Sequence, residues 1–283
     1  MRAARLALLL SAMLTAGPAA AQSTDWDVRR EPGSRLMVAF TAFDNGLAIG
    51  ARCTAGTYEV AIAGLPKPSS ELDRRPLRIG FNGGALQEEV WFVAGNGETA
   101  ISSLPAPFAR TLREGGRMDV VVPGGGEGGR NIRYVVDLPP SGEAIDQTLA
   151  DCGRPVEDPR DSQLDSVPAG GLQADIKWRS EPRVAFPIHG GGSGFVTVSC
   201  LTQVTGAVRD CAIEAEYPPR LGFGRAALRA MDDARLELAD GSGGPLTVRL
   251  IVFTAVFYVD GFQPGVRRQL PTGSRLPVAS PDG

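Results

Sequence analysis

The residues of this chain whose types and spacing could do chemistry are few. His189-Gly190-Gly191-Gly192 has the form of a loop whose backbone N–H groups hold a developing oxyanion in acyl transfer. That chemistry also needs a Gly-x-Ser-x-Gly elbow and a separate base. Ser193 has Phe195 where the last glycine should stand, and His189 is the one histidine among 283 residues, so it cannot be both loop and base. Gly124-Gly125-Gly126-Glu127-Gly128-Gly129 lacks the Lys-Ser/Thr of a phosphate loop and lies between two strand-like runs, so it reads as a hairpin loop. Glu88-Glu89 and Asp232-Asp233 are carboxylates adjacent in sequence; neighbours diverge on a strand or helix, and both pairs read as solvated charge. A single histidine and four cysteines that pair with one another would supply no metal site. The chain is therefore expected to be non-enzymatic and to need no cofactor or metal. With 32 acidic against 29 basic residues and no basic stripe, nucleic acid is not an expected partner.

What remains of the reactive inventory is the cysteines, and their meaning depends on compartment. Arg2 and Arg5, an apolar run from Leu6 to Leu14, and Ala19-Ala20-Ala21 before Gln22 form the pattern of a cleaved export signal. The run is short for a membrane span and Pro18 interrupts it; the alternative is an uncleaved anchor. Cleavage after Ala21 removes two arginines and takes the formal net charge from −3 to −5. A periplasmic location with no membrane span after cleavage is the expectation, and there an even number of cysteines implies disulfides, with three pairings possible. Cys200 and Cys211 lie on two arms of one hairpin about Thr205-Gly206. A two-residue loop places them opposite each other, along with Val198 opposite Ile213 and Val204 opposite Ala207. A three-residue loop would displace that opposition by one residue, and the turn residues allow either. Cys53 and Cys152 are then left as the second pair.

The elements that would position these groups are mostly strands. Length and a 43% hydrophobic content allow two domains, and 36 glycines and 22 prolines favour many turns. Between 22 and 152, strand-like runs (Leu36–Phe40, Leu47–Cys53, Tyr58–Ile62, Leu77–Phe81, Val90–Val93, Met118–Val122, Ile132–Val136) alternate with turn signals such as Asp44-Asn45-Gly46 and Asn82-Gly83-Gly84. A helical piece spans Ala106–Arg113, and Ser141 is placed to cap a helix running to Ala150. This predicts a β-rich sandwich or barrel-like domain. Residues 153–177, rich in proline and glycine, read as a linker, and 261–283 as a disordered tail.

Residues 178–260 form an α+β unit in the order strand, turn, strand, helix, strand. Phe223, Ala226, Ala227, Ala230, Met231 and Ala234 recur on one helix face. The final strand, read as Leu246 to Tyr258, is apolar on both faces, which makes it either central or an edge awaiting a partner. Phe186-Pro187, Gly194-Phe195-Val196-Thr197-Val198, Gly206-Ala207-Val208 and the run from Pro219 to Leu228, in that order, resemble the C-terminal domain of TonB-family energy transducers. The resemblance covers about a quarter of the chain and implies a β-β-α-β domain that receives an extended peptide by strand addition. It implies a peptide-binding set of Phe186, Pro187, Val248, Leu250, Val252 and Thr254, and an outer-membrane transporter or other envelope protein as partner. The short span between Pro187 and Gly194 and the lack of a retained membrane helix depart from that family, so a soluble variant is expected rather than a transducer. The competing expectation is an envelope scaffold whose TonB-like unit forms a homodimer.

The export signal predicts a mature N-terminus at Gln22, read by N-terminal sequencing of the envelope fraction; an intact Met1 in the membrane pellet would overturn it.

Overall fold

The computed structural model describes residues 25–68, 74–168, 170–187 and 192–258; the expected signal, the tail, and His189 with its first two glycines lie outside them. The chain is mostly β with few helices, an α+β architecture dominated by one large antiparallel sheet.

The first nine strands are β1 (Asp27–Glu31), β2 (Leu36–Ala42), β3 (Ala48–Thr54), β4 (Thr57–Ala63), β5 (Arg74–Phe81), β6 (Gln87–Val93), β7 (Thr99–Ser102), β8 (Gly116–Val122) and β9 (Ile132–Leu138). They form one sheet in the order β1-β2-β3-β4-β7-β6-β5-β8-β9, every pair antiparallel. Of the two expected forms, sandwich or barrel-like, the single sheet excludes the sandwich and agrees with the barrel-like form. It is not a closed barrel, because β1 and β9 are the two ends of the order. The sheet is rolled: side chains from β2 through β9 share one apolar core, and Asn45 Nδ2 at the β2–β3 turn donates to the carbonyl of Val135 on β9. Helices α1 (Pro105–Leu112) and α2 (Glu143–Asp151) fill the inner face through Ala106, Phe108, Ala109, Leu112, Ile145 and Leu149. Tyr58 on β4 meets Thr148 on α2 at 2.9 Å. The Thr148 hydroxyl spends its proton on the Ile145 carbonyl, so Tyr58 is the donor, and burial raises its phenol well above the ordinary value. The Cys53–Cys152 disulfide, with Cα atoms 5.4 Å apart, ties β3 to the end of α2 beside this bond.

Beyond α2 the chain holds α3 (Asp161–Leu164), then β10 (Ile176–Ser180), β11 (Gly194–Thr202), β12 (Val208–Tyr217), α4 (Phe223–Met231), β13 (Arg235–Leu238) and β14 (Leu250–Phe257). Strands β12-β11-β14 form a three-stranded antiparallel sheet, and β10 pairs with β13 separately. The hairpin loop differs from the two-residue expectation. Thr202 pairs with Val208 and Gln203 N–H donates to Ala207 O, which leaves a three-residue loop with Val204 exposed rather than opposite Ala207. A bulge around Asp210, at φ 52°, restores the register, so Ser199 faces Ala212 and Val198 faces Ile213. Cys200 and Cys211 are thereby joined, Cα atoms 4.1 Å apart.

Helix α4 buries Phe223, Ala226, Ala227 and Met231 on one face of this sheet. Its N-terminus is capped from the neighbouring strand: the Glu216 carboxylate accepts the N–H groups of Gly222 (2.9 Å) and Phe223 (3.0 Å). The opposite face of the three-stranded sheet packs on the outer face of the large one. Phe195, Ala215 and Val256 meet Phe92 and Ile101, with the Phe92 and Phe195 rings stacked at 3.7 Å. The result is a stack of helices, rolled sheet, small sheet and helix.

Both disulfides are expected to stabilise by restricting the unfolded chain. Replacing Cys53 and Cys152 by serine, which opens a sequence separation of 99 residues, should cost about 4–5 kcal/mol. Opening the separation of 11 at Cys200–Cys211 should cost about 3 kcal/mol. Denaturant unfolding of the two double variants checks the order.

Candidate functional site

The backbone parity of β14 decides what its edge can do. Its register with β11 is unbroken, and the Thr202 N–H donates to Arg249 O, so the odd-numbered residues turn their N–H and C=O groups toward β11. Leu250, Val252, Thr254 and Val256 turn theirs outward. Half of that edge is already covered by the chain itself. Val252 N–H donates to Gly171 O at 3.0 Å, and Gln173 Nε2 donates to Leu250 O at 3.2 Å. Gly171 has φ +80°, and a Cβ there would stand 2.0 Å from the Val252 carbonyl oxygen, so only glycine allows this approach. Among the described residues, no backbone hydrogen bond reaches the outward N–H of Thr254 or Val256.

The segment 153–177 does more than connect. Arg110 on α1 holds Asp161 through two bonds, 2.5 and 2.8 Å, and donates to Pro155 O. Arg154 and Arg160 reach into the small sheet to Glu214, at 3.5 and 3.4 Å. Glu214 is the extra residue where the β11–β12 register shifts between Thr197 and Val198, and the bulge aims it, with Ala215, at the larger domain. Its carboxylate, 1% exposed, also accepts a 2.5 Å bond from Ser199 Oγ. Leu164 and Val167 pack on Leu250 and Val252.

Between β5–β6, α1, the α3 segment and β14 lies a cleft of about 960 Å3. Thr254 opens onto it, with its hydroxyl 3.1 Å from that of Thr197. Phe92, Phe108, Leu104 and Val167 give it apolar wall, and Glu89 and Asp165 give it negative charge. Burial raises the Glu89 carboxyl to about 7; the Trp91 Nε1 donor at 3.1 Å opposes the rise and the charge of Asp165 adds to it. Asp165 is itself raised by burial and by Asp161. Arg74 lies over the Phe92 ring at 5.5 Å on the same wall.

The residues named from sequence are not all brought together. Leu250, Val252 and Thr254 line one edge, with Val252 and Thr254 in the cleft wall. Val248 lies in the exposed connection before β14, because the strand begins at Leu250 rather than Leu246. Phe186 packs edge-on against Phe223 and Phe257, in the core on the α4 side, and Pro187 lies near Gly222, so this pair does not flank the β14 edge that faces the cleft. Asp165 and Gly171 were not singled out for a site, and the reading of Glu89 as solvated charge is corrected, since burial raises its carboxyl. Glu89 did leave a trace: it shares a strand face with the buried Trp91, two residues on. Among the described residues, no three His, Cys, Asp or Glu side chains converge as a metal site.

Removing Glu214 empties a 1% exposed site and leaves the Ser199 hydroxyl without its acceptor and Arg154 without its carboxylate, while Arg160 keeps its pair with Asp158. Glu214→Ala is expected to cost about 3 kcal/mol, measured by denaturant unfolding, whereas Glu237→Ala at the half-exposed pair with Lys177 should change stability by less than about 1 kcal/mol.

No family model and no curated protein matches this chain. Among solved structures, the chain is similar to the C-terminal domain of TonB from Pseudomonas aeruginosa, determined by solution NMR. The identity is 24%, the match covers 32% of this chain and 93% of that one, and the TM-score is 0.29.

Proposed function

We propose that this protein is a non-catalytic binding module of the cell envelope, and that it receives an extended segment of another envelope protein along β14 beyond the point where Gly171 covers it. The observation that carries the reading is the half-open edge. Thr254 and Val256 present outward backbone groups that no described backbone group pairs, and Thr254 opens on the cleft of about 960 Å3. Two disulfides fit an oxidising compartment, and none of the described helices is long and apolar enough to cross a membrane. An outer-membrane transporter is the partner class that the sequence resemblance to TonB-family domains implies.

Thr254→Pro tests this: the N–H it removes points away from β11, so no ladder bond is lost, and the cost to the fold is the hydroxyl contact with buried Thr197, about 1–3 kcal/mol. A photo-crosslinking residue at Glu88, exposed on the wall of the cleft, should give an adduct to a segment of an envelope protein. In the Thr254→Pro background, with circular dichroism unchanged, that adduct should disappear. A folded proline variant that still forms it would rule out strand addition, and an adduct to a second copy of this chain would assign the edge to dimerisation.

A further inference from the structure

The free edge of β14 and the acidic wall opposite it belong to one cleft, and that juxtaposition says something about the sequence of the segment it takes. A strand laid beside Thr254 projects alternate side chains toward either face, at a spacing of two residues. One of those faces is the wall formed by β6 and the segment after α3, where Glu89 and Asp165 stand. The charged groups lining this space are Arg74 from β5, Glu88 and Glu89 from β6, Arg110 from α1, Glu114 in the turn after it, and Asp161 and Asp165 from the α3 segment. Arg110 and Asp161 neutralise each other through their paired hydrogen bonds. Arg74 stands over Phe92. Arg74 sets one positive charge against the carboxylates of Glu88, Glu89, Glu114 and Asp165, so the balance of the wall is negative, and Glu89 is held in orientation by Trp91 Nε1.

Building on the strand-addition reading, we propose that the cleft selects an extended peptide carrying one lysine or arginine, whose cation is seated against Glu89 while the flanking backbone pairs with Thr254. Apolar neighbours of that residue meet Phe92, Phe108 and Leu104. A cation supplies what the wall lacks: it offsets the repulsion between Glu89 and Asp165, and it donates to carboxylate oxygens in a place that excludes much of the water.

The test uses fluorescein-labelled short peptides of alternating valine and threonine, with Lys, Arg, Gln or Glu at one scanned position, and fluorescence anisotropy with the full mature chain. The expected result is binding at least about tenfold tighter for Lys or Arg than for Gln at one position, the scale of a charge-assisted hydrogen bond. Glu89→Gln should abolish that preference and leave binding of the Gln peptide intact. If Glu89→Gln does not fold, Asp165→Asn should weaken the same preference. The sign with pH follows from Glu89: its carboxyl is raised to about 7, so the attraction is present above that value and fades as pH falls through it. Raising pH from about 6 to about 8, where lysine stays charged, should therefore increase the preference. Peptides that bind without any preference for a basic residue would overturn this inference and leave the edge reading standing. Equal binding of the basic peptide by folded Thr254→Pro would overturn the edge reading on which it rests.

Discussion

Strand β14 has apolar side chains on both of its faces, and the arrangement of the molecule follows from the need to bury both. Ile251, Phe253, Ala255 and Phe257 join the core under α4, while Leu250, Val252 and Val256 point the other way. A sheet of three strands with a single helix can cover only one of these faces. Each large side chain left in water would forgo about 1.5–3 kcal/mol, and several are involved, so the small sheet cannot stand alone at the usual margin of stability. The larger sheet supplies the second cover through Phe92 and Ile101, and the stacked Phe92 and Phe195 rings mark the centre of the contact. The sequence left this strand either central or waiting for a partner; it is an edge strand, and the partner for its second face is the same chain.

Apolar contact alone would let the two sheets slide, because it is non-directional. The directional part comes from Glu214 and the two arginines of the connecting segment. A carboxylate this buried loses most of its hydration, and its ion pairs do little more than offset that loss. Their effect is on alternatives: any docking that separates Glu214 from Arg154 and Arg160 leaves a buried charge without compensation. The apolar face accounts for why the domains associate, and the carboxylate for where.

How much of this was legible in the sequence follows from the range of the interactions. Runs of alternating apolar residues located seven of the nine strands of the large sheet, because that signal is local; β1 and β7 were missed, being exposed in the first case and four residues long in the second. The disulfide partners were readable from the opposition of a two-residue hairpin loop and elimination, yet the loop is the three-residue alternative. The bulge at Asp210 compensates for the extra loop residue, and a non-glycine residue at positive φ leaves no clear mark in a sequence. The segment 153–177 reads as a tether because it is rich in proline and glycine, and nothing marks its arginines and aspartates as more than solvated charge. Their partners, Arg110 and Glu214, lie far off in sequence, and no spacing rule connects them. Phe186 and Pro187 were placed at the site by analogy with a family, whereas the aromatic packing of this chain draws Phe186 into the core.

The half-covered edge also sets a limit on how any strand could bind there. Two outward residues, Thr254 and Val256, offer at most a donor and an acceptor each. At a net 0.5–1.5 kcal/mol per hydrogen bond, four bonds contribute about 2–6 kcal/mol. Loss of translational and rotational freedom on association costs about 4–15 kcal/mol. Main-chain pairing at this edge therefore falls short of stable binding by itself. Either the incoming strand displaces Gly171 and Gln173 and gains the rest of the edge, or its side chains draw the balance from the cleft. Displacement is opposed, because Leu164 and Val167 anchor the covering segment on Leu250 and Val252, and Arg110 anchors it again through Asp161. The second route requires no rearrangement. It makes affinity depend on the walls of the cleft more than on the strand edge, and hence on the sequence of the bound segment as well as its extended shape.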